Sequence, residues 1–135
     1  MARSKTFLAA LVVLLTLPAA GAARAAECAD PQTQTDMNAC AAQKFEAADA
    51  ALNEAWPKVL EYYRALDAEL SDDLKGAEAA LLEAQRTWIV FRDAHCASVG
   101  FAARGGTMEP LLVTSCKADL TRERTDQLLA LLGDK

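Results

Sequence analysis

Residues 74–96 read LKGAEAALLEAQRTWIVFRDAHC, and the reading of this stretch decides the fold. Leu74, Ala77, Leu81, Ala84, Trp88, Phe91 and His95 recur at steps of three and four, which puts them on one face of a helix. Ser71, Asp72 and Asp73 form a start signal, because short polar side chains accept hydrogen bonds from the unpaired amides of a first turn. A neighbouring row of Leu82, Gln85, Ile89, Arg92 and Cys96 widens the apolar face. That width predicts a helix running to about Ala103 that packs against more than one partner and is the central element of a bundle.

Upstream, from Thr35 onward, Met37, Cys40, Ala41, Phe45, Ala48, Leu52, Trp56, Val59, Leu60, Tyr63, Leu66 and Leu70 keep the same helical spacing, with Thr35 or Asp36 as the cap. Pro57 offers no amide to the carbonyl of Asn53 yet leaves the phase intact, which predicts either one kinked helix or two in tandem. Downstream, Gly105 and Gly106 suit a turn, and Thr107 is placed to cap a third helix from near Met108. Pro110 falls in its first turn, where a missing amide costs nothing. Leu112, Cys116, Leu120, Leu128 and Leu131 mark its apolar face, which stops at Gly133. No strand-like alternation and no internal repeat occur. The fold class is therefore all-α: a small antiparallel bundle of three long helices.

The amino end has a different character. Arg3 and Lys5 precede an apolar run from Phe7 to Leu17, then Pro18 and a string of alanines. The run is about eleven residues, short of the roughly 20 that cross a bilayer, and Ala23 and Ala25 supply an A-x-A cleavage site. Residues 1–25 are read as a signal peptide and 26–135 as a single domain, periplasmic or secreted, with no stable membrane insertion after cleavage. Glu27 directly before Cys28 spoils a lipoprotein signal. Cleavage removes Arg3, Lys5 and Arg24 and no acids, so the net charge moves from −5 to −8. That sign repels phosphate backbones, which argues against nucleic acid, and favours encounter with a cationic protein. An acidic surface also simply keeps an exported protein soluble.

Four cysteines in an exported chain imply two disulfides, with three pairings formally possible. No metal is expected, because the spacings lack a tight C-x-x-C pair and His95 is the single histidine. Counting rise along an antiparallel hairpin sets Cys96, about 10 Å before the end of the second helix, opposite Cys116, about 12 Å into the third. Cys28 and Cys40 then join the amino-terminal arm to the first helix.

Catalysis finds little support. His95 and Cys96 are adjacent, but neighbours on a helix point about 100° apart and a disulfided sulfur is no nucleophile. No Ser-His-Asp set can be built without His95, and the two glycines lack the spacing and lysine of a phosphate cradle. A non-enzyme without cofactors is the expectation. Trp56, Tyr63, Trp88 and Phe91 read as core, whereas Tyr62 lies off the main stripe. Arg92, beside the apolar row, needs an acid or a set of terminal carbonyls from a neighbouring helix, while Arg86 and Asp93 lie seven apart near one row. Contact of these charges with a target is the alternative. The loop between Cys96 and Cys116 carries Phe101, Arg104, Met108 and Glu109, a set suited to partner binding because pinned loops lose little entropy and binding energy concentrates in aromatic and arginine anchors. Phe101 and Met108 could instead close the end of the core.

Several segments resemble one known family. They are Thr33 to Cys40 (TQTDMNAC), Ala84 to Cys96 (AQRTWIVFRDAHC), Gly105-Gly106-Thr107, and Cys116 through Leu120-Thr121-Arg122-Glu123-Arg124. Together they look like the lysozyme inhibitor LprI-like family, from Cys28 to about Leu131, with Arg86, Trp88, Phe91, Arg92 and Asp93 inside its most specific run. The resemblance implies an all-helical exported domain that inhibits lysozyme, and assigns no inhibitory residue. The lipid attachment of the founding member is a point of departure, given Glu27. A helical envelope chaperone or adaptor, or a structural module within a complex, is the reading from a different class.

Overall fold

A computed structural model describes residues 28–133, so the leader and the cleavage site lie outside the described residues. Three helices follow one another: α1 (Gln34–Ala68), α2 (Ala77–Gly100) and α3 (Glu109–Ala130), with a 3-10 turn at Phe101–Ala103 after α2. No strand occurs among the described residues. Cross-links fix the directions. Arg64 near the end of α1 pairs with Glu78 at the start of α2 at 2.8 Å, and Gln85 accepts from Arg124 near the end of α3 at 3.0 Å. Asn38 at the start of α1 reaches Thr107 just before α3 at 3.1 Å. Sequential helices are thus antiparallel, and α1 runs parallel to α3.

The first helix is continuous through Pro57, which settles the choice between one helix and two. Its 35 residues span about 52 Å. It starts earlier than the capping reading placed it: Thr33 is the cap, with the Asp36 amide donating to Thr33 Oγ1 at 3.1 Å and the Thr33 amide to Asp36 at 3.3 Å. This reciprocal box satisfies two otherwise orphaned donors. Cys40, Ala41, Ala48, Leu52, Ala55 and Val59 are buried as the spacing implies, but Leu66 near the end of α1 and Leu70 beyond it are exposed.

The second helix departs further. Ser71, Asp72 and Asp73 do not start it; the chain turns until Gly76, whose φ of +145° suits only glycine, and Leu74 is exposed. The cap arrives from α1. Asp67 accepts from the amides of Gly76, Ala77 and Glu78, each at 2.9 Å. These three bonds hold its carboxyl below the usual carboxylate range. The face is also rotated from the main stripe. Leu81, Gln85, Arg92, Cys96 and Gly100 are buried and Trp88 half-buried, whereas Ala84, Phe91 and His95 are exposed.

Nor is α2 the central element, since the most extensive interface is that of α1 with α3. The physical reason is that α3 buries small side chains, Ala118, Thr121 and Thr125, which let its backbone approach α1 closely. Threonines gave no apolar signal in the sequence. Their hydroxyls are nonetheless satisfied, Thr125 donating to the Thr121 carbonyl at 2.9 Å and Thr121 accepting from Arg92 at 3.4 Å. Leu52, Val59, Leu81 and Leu128 form the central cluster, with Trp56, Leu60, Tyr63, Trp88 and Leu132 packed on it. Leu131, expected in the core, is exposed past the end of α3, and Tyr62 is half-buried edge-on to Tyr63. The disulfides are Cys28–Cys40 and Cys96–Cys116, with Cα separations of 5.3 and 5.5 Å.

Candidate functional site

The loop between α2 and α3 is held from three sides. Cys96–Cys116 staples its flanks, the Asn38 amide ties the Thr107 carbonyl to α1, and Glu109 closes the turn from inside. Helices α2 and α3 meet tightly here: a methyl group added at Gly100 would sit 2.5 Å from the Val113 side chain, so only glycine allows the approach. Gly105, at φ +77°, makes the turn. Thr107 does not cap α3, its carbonyl accepting from Asn38 of α1 instead; Met108 occupies the cap position without a side-chain bond.

On this frame Phe101 is 63% and Met108 48% exposed, so neither closes the core. Arg104 is exposed but not free. Its guanidinium lies 4.8 Å from the Phe101 ring centroid and donates to Glu109 Oε1 at 2.6 Å, while the Gly105 amide donates to Glu109 Oε2 at 2.8 Å. The Gly105 amide first, and Arg104 second, hold the Glu109 carboxyl below its ordinary range. Phe101, Arg104 and Glu109 therefore come together as one unit, an aromatic ring on an internally neutralised Arg104–Glu109 pair, and Met108 stands exposed at the start of α3.

The A-Q-R-x-W-x-x-F-R-D-x-x-C run divides by burial. Gln85, Trp88, Arg92 and Cys96 face inward, and Arg86 and Phe91 face out, Phe91 stacking on His95 at 5.4 Å between centroids. Arg92 does find partners, but the acid is its own neighbour: Asp93 accepts at 3.0 Å, and α3 supplies the Thr121 hydroxyl rather than a carboxylate. The guanidinium also lies 5.3 Å from the Phe45 centroid and 5.2 Å from that of Trp88, which replaces lost hydration with two π faces. Burial pushes the Asp93 carboxyl up, but hydrogen bonds from Arg92 and Lys117 outweigh it and hold it below the usual range. Helix-surface arithmetic did not foresee this arrangement, because bonds between adjacent residues depend on side-chain reach rather than on spacing.

Chemistry at these positions is limited. The Cys96 sulfur is spent in a disulfide, and His95 stacks on the surface. Among the described residues no group of three potential metal ligands converges, and no helix is long and apolar enough to cross a membrane. The arrangement is suited to contact, with a rigid apolar tip beyond a disulfide.

The chain is 44% identical over 125 residues to an uncharacterized protein of Rhizobium meliloti, covering 90% of each. No solved structure matches. The family model described as "Lysozyme inhibitor LprI" matches residues 25–128, and the chain belongs to that family.

Proposed function

We propose that this protein is exported and binds and inhibits a lysozyme, protecting the cell wall. The observation that carries the reading is the family match over residues 25–128. Two properties of the chain support it. Removal of residues 1–25 leaves a strongly acidic domain, which suits a cationic enzyme. The exposed tip of Phe101 and Met108 is held by a disulfide and needs little ordering to enter a cleft. Arg104 contributes by stacking on Phe101 and bonding Glu109, so its role is to shape the tip rather than to seek a carboxylate on the enzyme.

Turbidity loss of bacterial cell walls under lysozyme, with and without the oxidised protein, tests this directly. Near-stoichiometric protection is expected. Phe101→Ser combined with Met108→Ser should abolish it while leaving the helical spectrum and melting temperature nearly unchanged. Full protection by the double variant would move the site to the acidic helix faces.

The second reading, a chaperone or adaptor for other exported proteins, is favoured by one observation: α2 exposes Ile89, Val90, Phe91 and Val99. Suppression of aggregation of several unrelated clients, without protection against lysozyme, would establish that reading instead.

A further inference from the structure

A groove of about 220 Å³ opens between α1 and α2, midway along the bundle. Its α2 wall carries Gln85 and Arg92, its α1 wall Asp49 and Asn53, and Trp56 and Ile89 supply apolar surface. The polar groups on the two walls are of opposite kinds. Gln85 turns its oxygen to Arg124, so its Nε2 faces elsewhere and makes no hydrogen bond among the described residues. Arg92 uses Nε on Asp93 and Nη1 on Thr121, which leaves Nη2 unspent. Both residues are 9% exposed, yet no buried side-chain nitrogen or oxygen of the described residues lacks a partner. Those two donor atoms therefore reach solvent, and the groove is a cavity that both residues line.

The α1 wall offers acceptors. Asn53 donates its amide to Asp49 Oδ2 at 2.9 Å, which leaves Asn53 Oδ1 and Asp49 Oδ1 without donors among the described residues. Pro57 adds to this, because it has no amide to give to the main-chain carbonyl of Asn53 one turn earlier. One wall donates and the other accepts, across apolar surface.

We propose that this groove binds the acetamido group of an N-acetylated sugar unit. A carbonyl oxygen takes the Gln85 and Arg92 donors, the amide N–H gives to Asn53 Oδ1, which Asp49 orients through the Asn53 amide, and the methyl group and ring C–H face pack on Trp56 and Ile89. Charge selects the same ligand. A free carboxylate meets Asp49 and a free ammonium meets Arg92, so a neutral group carrying both a donor and an acceptor fits best. The volume admits about one sugar ring. Arg92 lies about 13 Å along α2 from Phe101, so the site is separate from the loop tip and does not rest on lysozyme inhibition.

The test follows the indole N–H resonance of Trp56 in the exported, oxidised protein during titration with N-acetylglucosamine, glucosamine, glucose and acetate. A saturable shift with N-acetylglucosamine at about millimolar affinity is expected, as for a small ligand with few contacts. Glucosamine, glucose and acetate should leave the resonance in place. Asp49→Ala and Asn53→Ala, both on the less buried α1 wall, should each weaken binding about tenfold with melting temperature unchanged. Absence of a saturable shift, an equal shift with acetate or glucosamine, or wild-type affinity in the Asn53→Ala variant would each overturn the proposal. Lysozyme inhibition measured on the same variants should stay intact, which separates this site from the tip.

Discussion

Arg92 places a guanidinium where a helical bundle ordinarily holds an aliphatic side chain. Two aromatic faces, the Asp93 carboxylate and the Thr121 hydroxyl make that position tolerable. A flat, weakly hydrated cation is what this setting requires, and an ammonium is neither flat nor weakly hydrated. Arg92→Lys should therefore cost about 2 kcal/mol in urea denaturation, within the usual range for a buried polar group left poorly paired. Arg92→Met, which fills the space without charge, should stay within about 1 kcal/mol of the parent, because Asp93 is about half exposed and keeps Lys117 at 3.2 Å. A lysine variant as stable as the parent would show that charge alone, not planar stacking, is what the position selects. The place of Arg92 beside an apolar row already implies a partner. Thr121 and Phe45 are not legible as those partners, because they lie 29 and 47 positions away and carry no signature of charge pairing.

Between residue and element stands Asp67, the cap of a helix to which it does not belong. Its carboxyl is held below the usual range, so the folded state binds its proton more weakly than the unfolded chain does. The associated stability is present above the ordinary aspartate range near pH 4 and is lost as pH falls through the lower folded value. The start of α2 should fray in acid before the disulfide end of the bundle does. Amide exchange at Ala77 to Ala80 should accelerate below about pH 4 in the parent and should already be fast near neutrality in Asp67→Ala. Identical exchange in the two proteins at neutral pH would remove the cap from the account.

At the scale of elements, the periodic rows were legible and their phase was not. The existence, order and antiparallel pairing of three helices follow from apolar spacing, and rise arithmetic was enough to pair the cysteines. The buried face of α2 is offset toward its second row: Phe91 and His95, on the main stripe, lie outside, while Gln85, Arg92 and Cys96, on the row that widens that stripe, lie within. The two disulfides should differ in weight. Cys96–Cys116 closes 20 positions and joins two helices of the core, while Cys28–Cys40 closes 12 and secures an arm. Replacing the first pair by serine should cost about 3 kcal/mol of global stability by the loop-entropy relation. The second pair should cost less, because the arm can detach without opening the bundle. Thermal unfolding of the two double variants checks the order, and equal losses would mean that the arm belongs to the cooperative core.

At the scale of the whole molecule, charge and tip should act on different steps of association. Acidic side chains are spread along all three helices, so their field acts at a distance and steers encounter with a cationic enzyme. Phe101 and Met108 act only on contact, and their burial resists dissociation. Added salt shortens the screening length from about 8 Å at physiological strength toward about 3 Å at 1 M, so association should slow while dissociation changes little. The Phe101→Ser, Met108→Ser variant should show the converse, with a near-normal association rate and faster release. Surface plasmon resonance on immobilised lysozyme at several salt concentrations reads both rates at once. Salt-insensitive association would reduce the acidity to a solubility feature, and a variant slowed in association instead of hastened in release would mean that the tip guides encounter rather than anchoring the complex.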